Sequence, residues 1–165
     1  MNSLMTPKLD QLEANARVWV FQSIRTLNTA EIAEIDQQLD QFLSKWAAHG
    51  SALKSGFEIR FNRFIVVAVD EAQANATGCS IDSLMRLIQA IDEKYSLNLF
   101  DRMRVSYRTN LGIEQCDANE FRKKWSAGDV GLDTVVFNNV IETLGDLNKN
   151  WETTARACWV ANLAP

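Results

Sequence analysis

Six consecutive apolar residues, Phe64-Ile-Val-Val-Ala-Val69, end against the paired acids Asp70-Glu71 and constrain this chain more than any other feature. A run this short and this rich in β-branched residues reads as a strand buried on both faces, and a strand of that kind belongs at the centre of a sheet. It needs strands on either side and apolar layers above and below. Phe57-Glu-Ile-Arg-Phe61 supplies one neighbour, joined through a turn expected at Asn62-Arg63. Arg17-Val-Trp-Val-Phe-Gln-Ser-Ile24 supplies another, with Val18, Val20, Gln22 and Ile24 on one face and Arg17, Trp19, Phe21 and Ser23 on the other.

Two amphipathic helices can cover such a sheet. Asn28-Thr-Ala-Glu31 has capping-box spacing, and Ile32, Ile35, Leu39, Phe42, Leu43 and Trp46 then recur with helical period as far as Gly50. His49 falls at the C-terminal end of that helix, where an imidazolium complements the dipole. The second helix is expected to start with Ser80 as its N-cap and to bury Ile81, Leu84, Met85, Ile88, Ile91 and Tyr95. Alternation over Arg102 to Asn110 adds a strand, Asp117 to Glu120 caps a short helix ending near Gly128, and Thr134-Val-Val-Phe137 reads as a strand. Leu144, Leu147, Trp151, Ala155, Cys158 and Trp159 keep helical spacing to the end, while residues 1–15 read as a leader.

The order β-α-β-β-α-β over residues 17–110 is that of a ferredoxin-like, split βαβ sandwich, an antiparallel sheet with both helices on one face. A C-terminal α/β extension completes a single α+β domain spanning residues 1–165. Only 7 Gly and 2 Pro occur in 165 residues, so no Gly-rich phosphate loop or flexible linker is expected. The cysteines, Cys79, Cys116 and Cys158, are odd in number and lie far apart, which fits reduced thiols and offers no C-x-x-C metal motif. With no signal-peptide pattern and no run of about 18 apolar residues, a cytoplasmic location away from membranes is expected.

Val18-Trp-Val-Phe-Gln22, Phe64-Ile-Val-Val-Ala-Val-Asp-Glu71, Gly78-Cys-Ser-Ile-Asp-Ser83, Leu99-Phe-Asp-Arg102 and Val136-Phe-Asn-Asn139 together resemble a small family of uncharacterised bacterial proteins often labelled "ABC transporter ATPase". The label implies a nucleotide cassette, yet no glycine here opens a G-x-x-x-x-G-K-[ST] loop. The resemblance implies no catalytic residue and no cofactor.

Chemistry is then expected in two places. Cys79, between Gly78 and Ser80 at a helix start, is the candidate nucleophile, because unpaired N–H groups and the dipole there stabilise a thiolate or a bound anion. The opposing reading is a small residue packed at a turn. A dyad with His49 is disfavoured if the two helices run parallel and hold those residues at opposite ends. The second place is the sheet face away from the helices, where Arg17, Trp19, Phe21, Glu58, Arg60, Arg104 and Arg108 are expected together; Ser80, Trp19, Arg60, Arg104 and Arg108 are the candidate ligand residues. Such a face fits a small acidic ligand, or burial beneath the C-terminal segment or a second subunit. Nucleic acid is disfavoured because 17 basic against 21 acidic residues leave a net charge of −4. The sequence therefore points to a non-enzymatic module that binds itself, a protein partner or a small ligand. The alternative is a cysteine-dependent enzyme or redox-responsive protein built on Cys79.

Overall fold

A computed structural model describes residues 9–72 and 74–165; the leader expected over residues 1–15 lies partly outside them. The chain is a mixed α+β protein whose contacts gather into two compact units, Met1–Phe100 with Glu142–Gly145, and Asp101–Ile141 with Asp146–Pro165.

The first unit is built on the apolar run. Strand β1 (Arg17–Gln22), β4 (Lys54–Arg60) and β5 (Phe64–Asp70) form an antiparallel sheet in the order β1-β5-β4, and every residue of the central β5 is buried. Helix α1 (Thr29–Leu43) has the expected capping box: the Asn28 side chain accepts from the Glu31 N–H at 2.8 Å, while Glu31 Oε2 accepts from the Asn28 N–H at 2.9 Å. Ile35, Leu39 and Leu43 of α1 pack with Leu84, Ile88 and Ile91 of α2 (Gly78–Tyr95) on one face of the sheet, above Phe21, Ile65, Val67 and Val69.

Several details depart from the sequence expectation. α1 stops at Leu43 rather than near Gly50, because residues 47–52 fold back as a small hairpin of β2 (Ala47–Ala48) and β3 (Ser51–Ala52). His49 and Gly50 form its two-residue loop with φ of 50° and 77°, the positive pair that a twisted hairpin favours. His49 therefore turns a hairpin and does not cap a helix. α2 is capped by Thr77 rather than Ser80, which occupies the third helical position and completes a capping box.

The helices also run antiparallel. Trp46, just past the end of α1, donates its indole N–H to the Ser80 carbonyl at the start of α2 (2.8 Å), and Arg25, just before α1, reaches the Tyr95 carbonyl at the end of α2 (2.9 Å). The parallel arrangement used to separate His49 from Cys79 does not hold.

Strand partnership departs as well. The run around residue 105, expected as a fourth strand of this sheet, is β6 (Val105–Thr109) and pairs elsewhere. The outer edge of β1 instead meets residues 142–144, through Val18 N–H to Glu142 carbonyl (2.9 Å), a single bridge between Arg17 and Thr143, and Leu144 N–H to Ala16 carbonyl (2.9 Å). The cause is local. Gly112, at φ 124°, lets the chain reverse after Thr109 so that β7 (Gly112–Cys116) returns along β6.

The second unit holds the sheet β7-β6-β8-β9, with β8 at Val135–Phe137 and β9 at Glu152–Thr154. Helix α3 (Ala118–Ser126) is capped by Asp117 as its sequence requires, with the Asp117 side chain accepting from the Glu120 N–H at 2.8 Å. Phe121 of α3 is fully buried, its ring edge-on to Tyr107 (centroids 5.5 Å apart) and Trp125 (5.9 Å). The helix expected from Leu144 to Trp159 is shorter: α4 covers Leu144–Asn150, and Glu152-Thr-Thr154 then extends as β9, consistent with the strand preference of β-branched Thr.

Candidate functional site

The start of α2 gathers three of the candidate residues, Trp19, Cys79 and Ser80. Ser80 is buried and its hydroxyl is committed: Oγ accepts from the Thr77 N–H at 2.7 Å and donates to the Thr77 carbonyl at 2.9 Å. The Ser80 carbonyl takes the Trp46 indole N–H, and Trp46 lies edge-on to Trp19 (centroids 6.2 Å) and against Phe42 (5.7 Å). These contacts tie the first strand, the first helix and the second helix together at one end of the core. Each polar group named here has its partner within the protein, so Ser80 is a structural residue of the helix start.

Cys79 differs. It occupies the second helical position, its side chain is exposed, and among the described residues its thiol makes no hydrogen bond. Its carbonyl accepts from Ser83 Oγ at 3.0 Å. Reaction with a soluble electrophile is sterically open, but the neighbouring Ser80 hydroxyl has no proton left for a reacting group.

The expected one-sided ligand face is not assembled as the sequence reading placed it. Cross-strand register puts Trp19 opposite Val67 and Phe21 opposite Ile65, and both aromatic residues belong to the core beneath α1 and α2. Glu58 pairs with Val66 and Arg60 with Phe64, so these two are on the other face of the sheet. The inversion has a physical origin: Val18, Val66 and Ala68 on that other face are themselves buried, so both faces are apolar and alternation alone does not say which one the helices cover. Arg17 stays beside Trp19, its guanidinium 4.9 Å from the ring centroid and 3.9 Å from Glu71. Arg60 lies 3.1 Å from Glu58.

Arg104 and Arg108 belong to the second unit. Arg104 donates to Gln115 (3.2 Å), which donates in turn to the Ser106 hydroxyl (3.1 Å). Arg108 makes a two-pronged ion pair with Glu152 (2.8 and 2.7 Å) over the ring of Phe137. A fork held this way ties β6 to β9 and is a strong geometry for a guanidinium. In the same unit burial, reinforced by the nearby Glu120, pushes the Cys116 thiol up to about 11, and burial also raises Cys158. Burial and the hydrogen bond to Glu114 push the Tyr107 phenol well above its ordinary value. All three groups hold their protons at neutral pH. Asp133, in the loop before β8, pairs with Arg156 at 2.9 Å.

One surface feature was not anticipated. At the opposite end of the first unit from the Trp46–Ser80 contact, the segment between β1 and α1 is stitched to two other loops: Ser23 N–H to Arg63 carbonyl (2.9 Å), Leu27 N–H to Asn62 carbonyl (2.7 Å), and Ile24 N–H to Leu97 carbonyl (2.9 Å). Three large apolar residues are displayed on these joined loops, Ile24 (39% exposed), Phe61 (48%) and Phe100 (42%), and Phe100 is edge-on to the core residue Phe21. Phe61 and Asn62 are the central pair of the Arg60–Arg63 turn, both at φ 52°, where the sequence reading had set Asn62-Arg63. Glycine or asparagine suits such a position, whereas a bulky residue there is strained. The signal in the sequence was a phenylalanine directly before the turn asparagine.

No family model, curated protein or solved structure matches this chain. Among the described residues no group of three or more His, Cys, Asp or Glu side chains could hold a metal ion, and no helix is long and apolar enough to cross a membrane.

Proposed function

We propose that this chain is a non-enzymatic binding module that associates with a second copy of itself through the end of the first unit formed by Ile24, Phe61 and Phe100. The observation that carries the reading is the joining of three loops by backbone hydrogen bonds so that each displays a large apolar residue. Single exposed apolar residues are ordinary, but three on hydrogen-bonded neighbouring loops, one of them at a left-handed turn position, are what an association surface requires. The committed hydrogen bonds of Ser80, Trp46 and Arg108 support a binding rather than a catalytic role.

The finer fold reading that goes with this proposal is a split βαβ core reduced to three strands. The order β1-β5-β4, with α1 and α2 on one face, supports it. A cytoplasmic setting, and the family likeness without ATPase chemistry, belong to the same proposal.

Light scattering after size exclusion tests it. The wild type is expected to rise above the 18.6 kDa of one chain as concentration increases, and an Ile24→Ser/Phe100→Ser variant with an unchanged circular dichroism spectrum is expected to remain at that mass. A wild type that stays monomeric, or a variant that associates equally well, overturns the proposal. The exposure of Cys79 favours one second reading, a cysteine-dependent activity. That reading requires Cys79 to react with iodoacetamide at neutral pH faster than an unstructured thiol, and an equal or slower rate removes it.

A further inference from the structure

We draw no further inference here: the strongest candidate, the acidic cluster where β5 runs out toward the start of α2, with Glu71 Oε1 buried and lacking a hydrogen-bond partner, carries nothing because the Glu71 side chain is one-third exposed, Arg17 already stands 3.9 Å from that oxygen, and no second observation points to a ligand.

Discussion

Replacing Trp46 with Phe removes the indole N–H that joins the end of α1 to the Ser80 carbonyl while keeping an aromatic ring in the core. Trp46 is 4% exposed, and its hydrogen bond is buried and 2.8 Å long. The lost bond costs about 1 kcal/mol net. Ser80 is inside a helix, so its carbonyl keeps a backbone acceptor role and the further penalty of an orphaned group is avoided. The smaller ring adds about 1–2 kcal/mol through lost burial and the space left beside Trp19 and Phe42. The total is about 2–3 kcal/mol, or roughly 4–12 °C in melting temperature for a chain of this size. Urea unfolding followed by far-ultraviolet circular dichroism measures the loss directly, and the m-value should stay constant. A change smaller than about 0.5 kcal/mol, the ordinary range for a surface site, would refute the antiparallel placement of the helices and the packing at the start of α2.

Glu31→Gln tests the opposite end of the same pair of helices. Ion-paired hydrogen bonds from Arg25, then the Asn28 N–H, hold the Glu31 carboxyl down at about 2 from an ordinary 4.5. A depressed carboxyl stabilises the fold fully above its unfolded value, and that contribution is lost as pH falls from about 4.5 toward 2. The variant's acid-unfolding curve should therefore be flatter over that window, and a superimposable curve would contradict the pairing. His49→Asn should leave stability unchanged or slightly raised, since asparagine before Gly50 suits the β2–β3 loop; a loss above about 1 kcal/mol in urea would instead favour a helix-capping role. Timed alkylation of the native protein, read by mass spectrometry, should modify Cys79 first and Cys116 last, because Cys79 is exposed and Cys116 is buried with a raised pKa. Equal rates would count against the burial assigned to the second unit.

Where the determinants are close in sequence, the fold was legible. The Asn28–Glu31 box and the Asp117 cap were read at the right residues because a cap is a contact across three positions. The central place of β5 followed from its being apolar on both faces. The start of α2 was read three residues late because Thr77 and Ser80 both carry hydroxyls able to cap, and only the reciprocal bonds in the folded chain separate N-cap from third position. The partnership of β6 was not legible. It depends on a reversal at Gly112 and on Tyr107 meeting Val136, 29 residues away, neither of which leaves a local pattern.

The candidate site was legible only in pieces for a related reason. Cys79 and Ser80 were placed correctly at the start of α2, but the face of β1 was inverted, which moved Arg17 and Trp19 to the helix side, and β6 pairs in the other sheet, which removed Arg104 and Arg108 from the expected face. Ile24, Phe61 and Phe100 lie on three separate loops, and only the hydrogen bonds between those loops bring them together.

Hydrogen–deuterium exchange compared at low and high protein concentration tests the proposed association surface most directly. Added protection is expected on concentrating the sample in residues 23–27, 61–63 and 97–100, and nowhere else in the first unit. Protection that is independent of concentration, or that rises at residues 77–83 while those three loops exchange unchanged, would contradict it.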